Sequence, residues 1–373
     1  MKITIITQNL CGGGVQKSVL ALSKALKTKH KVSFLLFEQK ELFFDVSDIG
    51  EISYLPQFDI DISSDDVGFT LYRDRVLAVE NFFESDDSGL YIVFEDYNAL
   101  VALEANRFDK KIIVSSRVGF KIYEGRKIHL LPQEFYMEAM TRLYPNACGV
   151  IAVSDGVKSD LGGLGIEAKS IYNGIDIEQI TEMSQEPCEY ENFILHIGRM
   201  DFAQKGQDDA LEAFGKISTK TDANLVFIGD GKDFGTLRLM TDKMGLSSRV
   251  FFVGLDKNPY RFLRKCRLLV FSSYYEGMPN VLLEAMALGV SIVSYDFLPS
   301  ADEFLHGKIP FLLTERGNTQ KLSKAILELL LNEQVASKIA NDALNVARLY
   351  DREQNAKQWL CYIDDIEKDR INS

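Results

Sequence analysis

Apolar residues in this chain gather in short β-rich runs, and between the runs they recur every three or four positions, the spacing of a helix with one buried face. Residues 2–7 read as a buried strand, and a glycine turn follows at Gly12, Gly13 and Gly14. Residues 15–29 then set Val19, Leu22 and Leu26 on one helical face before a second strand at 31–37. Together these make a βαβ unit. Further strand patterns at 90–94, 111–115 and 149–153 alternate with helical ones at 71–83, 97–107 and 133–144. Alternation of that kind predicts a parallel sheet covered by helices on both faces.

The pattern then starts again, with strands at 192–197, 224–228, 250–252, 268–272 and 291–294 and helices at 207–218, 234–244 and 281–288. A second doubly wound domain is the expectation. Between the two halves lie Asn173-Gly174-Ile175-Asp176 and a polar stretch at 184–191 containing Pro187, which predicts a hinge near 175–190. The predicted domains are residues 1–180 and 190–350. Residues 318–368 are helical in pattern almost throughout, with Leu322, Ile326, Leu329 and Leu330 forming one apolar stripe that should pack on a domain.

Composition narrows the function. At 373 residues the chain exceeds the size at which one core is usual, and 46% hydrophobic with 26% charged content is that of a folded globular protein. Gln8 and Asn9 interrupt the apolar start too early for a signal peptide, and the longest apolar stretches, 266–271 and 281–288, fall well short of the ~20 residues of a membrane span. Five cysteines (Cys11, Cys148, Cys188, Cys266, Cys361) show no Cys-x-x-Cys spacing, which argues against a disulfide framework or zinc site and suits a reducing cytoplasm. A formal net charge of −12 disfavours nucleic-acid binding, which depends on neutralising phosphates.

The segment richest in chemistry is Ser272-Ser273-Tyr274-Tyr275-Glu276-Gly277-Met278-Pro279-Asn280, joining an apolar strand to a helix. In doubly wound sheets ligands bind beyond the carboxyl ends of strands, and a helix start there turns N–H groups and positive dipole toward an anion. Gly277 permits close backbone approach and Pro279 suits a first helical turn. Glu284 lies about one turn further in, and helical side chains lean toward the N-terminus, so two acids, Glu276 and Glu284, face one anion-binding helix start. Upstream, Ile197-Gly198-Arg199 ends the first strand of the second domain and Lys205-Gly206 precedes a helix, placing two cations at the same edge. A diphosphate needs such partners, since charge-assisted hydrogen bonds contribute roughly 1.5–3 kcal/mol each. The plain alternatives are a loop acid, a first-turn carboxylate and two solvated surface cations.

These residues carry a resemblance. Glu276 and Glu284 in the setting Glu-Gly-Met-Pro-Asn-Val-Leu-Leu-Glu-Ala-Met-Ala, with Gly198-Arg199 and Lys205-Gly206 upstream, resemble the retaining GT-B glycosyltransferases of family 4. Gly229-Asp230-Gly231, Phe252-Val253-Gly254, Ala152 to Val157, Ile171 to Asp176 and the opening Gly12 to Lys17 are similar to the same family. The likeness spans nearly the whole chain, strong from about 149 to 300 and loose from about 38 to 130.

The resemblance implies two Rossmann-like doubly wound domains around an interdomain cleft, an acceptor-binding first domain rejoined by a last helix at 351–373, and a donor-binding second domain. It implies a nucleotide diphosphate sugar as donor, a UDP-sugar foremost, with no cofactor or metal required. Arg199 and Lys205 would bind the donor diphosphate, Glu284 the ribose, and Glu276 the sugar, with Glu276, Arg199 and Lys205 the catalytic set. The backbone of Gly277, Met278, Pro279 and Asn280 would meet sugar and phosphate, Val253 and Gly254 the nucleobase, and Gly13 or Gly14 the diphosphate from the opposite domain. The expected reaction moves a hexosyl or N-acetylhexosaminyl group, with retention, to a glycan or lipid-linked acceptor in surface polysaccharide or lipopolysaccharide synthesis.

One feature departs from the family. Many relatives carry a histidine after the strand that here reads Ile112 to Ser116, and none occurs there; the spacing does not transfer its role to His129, while Arg117 is a candidate to face the cleft. The stretch 107–127 gathers Arg107, Lys110, Lys111, Arg117, Lys121, Arg126 and Lys127, a patch suited to anionic membrane headgroups or a phosphorylated acceptor, or else a solvated cluster. Other readings stay open: a catalytically silent nucleotide-sugar binding subunit, a sugar-nucleotide epimerase or phosphorylase on the same fold, and a nicotinamide-dependent dehydrogenase. The last would use Gly12 to Gly14 and the acid Glu38, although Lys17 stands where its fingerprint wants a third glycine.

Overall fold

The computed structural model describes residues 1–42, 46–58, 66–119, 131–299 and 312–372. The chain divides into two compact units, one formed by residues 1–174 with 352–373 and the other by 175–351. The first holds a parallel sheet of β1 (Lys2–Thr7), β2 (Lys31–Leu36), β3 (Glu51–Tyr54), β4 (Leu90–Phe94), β5 (Ile112–Ser116), β6 (Gly149–Ala152) and β7 (Lys169–Ser170), in the order β3-β2-β1-β4-β5-β6-β7. The central strands β1, β4 and β5 are buried almost throughout because helices cover both faces, as at Ile3, Ile5 and Ile6 of β1, all fully buried. The helix Gly14–Leu26 buries Val19, Leu22 and Leu26, the face its periodicity predicts. The final helix, Arg352–Asn372, adds Trp359 and Ile363 to this core, with Trp359 stacked on Phe94 at 6.1 Å.

The second unit holds β8 (Phe193–Ile197), β9 (Asn224–Ile228), β10 (Val250–Gly254), β11 (Leu268–Phe271), β12 (Tyr275–Glu276), β13 (Ile292–Tyr295), β14 (Leu298–Pro299) and β15 (Leu312–Thr314). Six of them form a parallel sheet ordered β10-β9-β8-β11-β13-β15, while β12 and β14 pair as a separate two-stranded ribbon. Both larger sheets therefore reverse direction of growth at their first strand. That reversal leaves a crevice beyond the carboxyl ends, between β1 and β4 in one unit and between β8 and β11 in the other.

Several short elements escape the sequence pattern: β3, β7, β12, β14, β15 and the helices Asp155–Gly163, Ile177–Met183 and Tyr260–Lys265. Most are too brief for periodicity to register, and Asp155–Gly163 buries only Val157 and Leu161, too few to mark a stripe. The segment expected to act as a hinge begins with the helix Ile177–Met183 and is tied to the second unit: Asn258 Nδ2 donates to Met183 O at 2.8 Å and Arg261 Nη1 to Pro187 O at 2.9 Å. The helical tail is three helices, because Asn332 caps Glu333–Ala347 by accepting from Val335 N, and a turn at 348–351 precedes the last.

Candidate active site

In the second unit the loop after β8 and the loop after β11 are knitted together. The short helix Phe202–Lys205 ends at Gly206, whose φ of +59° is left-handed; a Cβ there would sit 2.4 Å from Ser272 O, so the close approach admits only glycine. Ser272 Oγ donates to Gly206 O at 2.6 Å, and Tyr274 N donates to Gln204 O at 2.8 Å. Beneath them His196 is buried, its Nε2 3.3 Å from Lys205 O and 3.2 Å from Ser272 Oγ. Burial pushes its imidazole down to about 4, so it sits there neutral.

This stitching presents Lys205 to Glu276. The ammonium lies 2.5 Å from Glu276 Oε1, with the two side chains 18% and 9% exposed. Arg199 is held alongside by donating from Nη2 to Gln204 Oε1 at 2.7 Å, while Gln207 Nε2 donates to Arg199 O at 2.7 Å. Arg199, Lys205 and Glu276 thus belong to one hydrogen-bonded framework at the β8–β11 reversal. Gly277, Met278 and Pro279 lead from Glu276 into the helix Asn280–Ala287, with Pro279 at its N-cap and Met278 buried. Glu284 is buried one turn further in, and Tyr260 OH donates to its Oε1 at 3.3 Å. Val253 and Gly254 lie at the carboxyl end of β10, two strands out from β8 on the same edge, where Gly254 adopts φ +79°. A Cβ on Gly254 would meet nothing within 4 Å, leaving that backbone open to an approaching group.

Sequence reasoning missed the supports: Gln204 and Gln207 around Arg199, His196 and Ser272 under the loop, Tyr260 on Glu284, and Asp209. The last, in the helix Gln207–Gly215, accepts from Tyr274 OH at 2.6 Å and Tyr295 OH at 3.0 Å, fastening the β11 loop and β13 to that helix. The only sequence signal for them was adjacency to the motif, as with His196 two residues before Gly198.

Gly13 and Gly14 belong to the first unit, at the start of the helix Gly14–Leu26; Gly13 has φ +131°, open to glycine alone. The preceding loop is pinned by two acids. Glu38 accepts from Gln8 Nε2 at 2.7 Å and Asn9 Nδ2 at 3.1 Å and pairs with Lys40 at 2.6 Å. Burial pushes its carboxyl up, but those partners outweigh it and hold it below the ordinary range. A carboxylate so engaged is a poor ribose acceptor for a dinucleotide. Glu95, after β4, accepts through Oε2 from Gln8 N at 3.2 Å, Asn98 Nδ2 at 3.1 Å and Thr7 Oγ1 at 3.4 Å.

Arg117 does not extend a surface patch. It is buried after β5, 5.3 Å above the Phe94 ring, and donates to Asn173 Oδ1, because its planar guanidinium packs against aromatic surface at the sheet edge. Arg107 pairs with Glu80 at 3.2 Å and Lys110 donates to Asp86 O at 2.8 Å. Lys121, Arg126, Lys127 and His129 lie outside the described residues. Among the described residues no group of three or more His, Cys, Asp and Glu is arranged to hold a metal, and no helix is long and apolar enough to cross a membrane.

Residues 179–346 match the family described as "Glycosyl transferases group 1". Over 97% of this chain and 99% of the relative, the sequence is 27% identical to the N-acetylgalactosamine-N,N'-diacetylbacillosaminyl-diphospho-undecaprenol 4-alpha-N-acetylgalactosaminyltransferase of Campylobacter jejuni. It is 25% identical, over 98% of this chain and 99% of the relative, to an alpha-1,4-N-acetyl-D-galactosaminyltransferase of the same organism, whose named substrate is also a diphospho-undecaprenol glycan. Among solved structures, Anabaena HepE in complex with UDP and glucose superposes with a TM-score of 0.78 at 19% identity, covering 98% of this chain and 99% of that one. The chain is a glycosyltransferase of the GT-B fold, and the residues that match the group 1 glycosyl transferases lie within the unit that carries Arg199, Lys205 and Glu276.

Proposed function

We propose that this enzyme transfers an N-acetylhexosaminyl or hexosyl group from a UDP-sugar, with retention of anomeric configuration, to a lipid-linked glycan acceptor in surface polysaccharide synthesis. The observation that carries the reading is the Lys205–Glu276 pair at the β8–β11 reversal, beside a helix start and Arg199. An ammonium has three N–H donors, so Lys205 can keep Glu276 while receiving a diphosphate oxygen. Arg199 and the start of the helix Asn280–Ala287 add positive potential to the same leaving group, whose charge grows as the glycosidic bond breaks. Glu276 orients the donor sugar, Glu284 takes the ribose hydroxyls, and the open backbone at Val253 and Gly254 takes the base.

In this scheme the acceptor hydroxyl attacks C1 on the face the diphosphate leaves. Its proton passes to the departing diphosphate oxygen, so the new bond keeps the old configuration. The first unit takes the acceptor. The relatives named for diphospho-undecaprenol glycans support a lipid-linked acceptor, and HepE's complex supports uridine in the donor. Such an acceptor would draw the enzyme to the cytoplasmic face of a membrane.

The test offers UDP-N-acetylgalactosamine, UDP-N-acetylglucosamine, UDP-glucose and UDP-galactose with an undecaprenyl diphosphate acceptor bearing N-acetylgalactosamine. UDP release that depends on acceptor, with an α-linked product by NMR, is the expected result. Nucleotide binding without release would instead identify a silent subunit, and a β-linked product would remove the retaining mechanism.

A further inference from the structure

Glu95 stands out in the first unit on three independent grounds. Its backbone has φ +73° and ψ +136°, a region that non-glycine residues avoid and that costs on the order of 1–3 kcal/mol. Its position is the carboxyl end of β4, beside β1, where the sheet order reverses. Its two oxygens are treated differently: Oε2 accepts from Gln8 N, Thr7 Oγ1 and Asn98 Nδ2, whereas no hydrogen bond among the described residues engages Oε1. The side chain is half-buried, and its chain neighbours Phe94, Asp96 and Asn98 are all buried. A strained residue that anchors one carboxylate oxygen and leaves the other without a hydrogen bond among the described residues is arranged to receive a donor from a ligand.

We propose that Glu95 is an acceptor-binding residue, its Oε1 taking a hydrogen bond from a sugar hydroxyl of the acceptor glycan in the first unit's crevice. This rests on the glycosyltransferase reading given above. The surroundings suit a neutral polyol. Arg117, stacked on Phe94 one strand over, supplies a guanidinium, and the loop Gln8–Asn9 supplies amides. Burial pushes the Glu95 carboxyl up to about 7, so the ionised form, in which Oε1 is purely an acceptor, gains population as pH rises through that value. Among the described residues Arg117 makes no ion pair, and Glu95 and Asp96 are the acids whose charge it feels.

Glu95→Gln separates the two oxygens' roles. The amide oxygen still accepts from Gln8, Thr7 and Asn98, while the other atom turns from acceptor to donor. With undecaprenyl diphosphate–N-acetylgalactosamine as the probe, the acceptor KM should rise about ten- to hundredfold, the loss expected for a hydrogen bond to a charged group. The dissociation constant for UDP and the slow hydrolysis of the UDP-sugar by water should stay unchanged. An unaltered acceptor KM overturns the assignment, as does a parallel loss of UDP affinity, which would mean that Glu95 acts only by holding the glycine turn. Glu95→Gly suits the positive φ and serves as a second, folded variant with the same expected KM effect. Failure of the wild-type protein to release UDP with acceptor would defeat the functional reading itself; release that persists at normal KM in both variants defeats only the role of Glu95.

Discussion

The two sheets reverse strand order in the same way, β1 against β4 and β8 against β11, yet the crevices beyond them are built on different principles. In the second unit, the groups at the edge come from two loops that bond to each other: Lys205 to Glu276, Tyr274 to Gln204, Ser272 to Gly206. In the first, they arrive singly from separated segments, Gln8 and Asn9 after β1, Glu38 after β2, Glu95 after β4 and Arg117 after β5, and they meet mainly through Gln8. On the proposed reading, a site for one fixed group, a diphosphate, is held by local motif, and a crevice for the acceptor glycan is held by tertiary placement.

The sharpest way to break that contrast is to remove the charge at the second edge. Lys205→Ala and Glu276→Ala should each lower turnover about 10²- to 10³-fold, the scale seen when one preorganised stabiliser of a leaving charge is lost. Thermal unfolding should show the chain still folded. Near-normal rates in both variants would discredit the assignment of the diphosphate site.

The same contrast explains what could be read without coordinates. Both doubly wound sheets were legible because short apolar strands of four to six residues alternate with amphipathic helices, and β1, β4 and β9 fall where the pattern put them. The residues from Arg199 to Glu284 were legible because glycine, proline and charge sit in fixed spacing within two short segments. Glu95 was not, because its unusual φ, its three donors and its place beside β1 are tertiary facts with no local signature. Arg117 misled for the same reason: a basic residue among lysines looks exposed until packing on Phe94 buries it.

Glycine substitution offers a smaller but cleaner comparison. Gly206→Ala must accept a left-handed φ and drive a Cβ into the backbone oxygen of Ser272, which has nowhere to go, so a loss of about 1–3 kcal/mol or more is expected in urea unfolding. At Gly13 the nearest atom to a new Cβ is the end of the flexible Gln16 side chain at 2.7 Å, so Gly13→Ala keeps only the backbone strain. Equal midpoints for the two variants would show that the second unit's loops are no more tightly stitched than the first's.

The two edges should also respond to pH with opposite sign. His196 has a native pKa of about 4 against an ordinary 6.5, so the unfolded chain takes up its proton first as pH falls. Its contribution is complete above about pH 6.5 and declines toward pH 4, by at most ~1.4 kcal/mol per pH unit. Glu95 runs the other way: with a native value of about 7 against 4.5, its contribution is complete below pH 4.5 and is lost as pH rises through 7. Unfolding of His196→Asn and Glu95→Gln between pH 5 and 8 reads each difference against wild type. Both variants tracking the wild-type slope would leave the two edges electrostatically alike.

The smallest expected effect lies at Glu284, where the second unit's motif depends on a residue outside it. Tyr260 OH donates to Glu284 Oε1 at 3.3 Å, longer than the usual O–H···O bond, so it steadies the carboxylate without dominating it. Tyr260→Phe keeps the buried ring and removes only that donor, and a neutral-to-charged bond of this length should be worth about a two- to tenfold loss in UDP affinity. Because the proposed partner of Glu284 is the ribose, the loss should appear with UDP and vanish with inorganic pyrophosphate as the probe. An equal loss with both would move Glu284 from the ribose to the phosphates, and the second edge would then rest wholly on its charges.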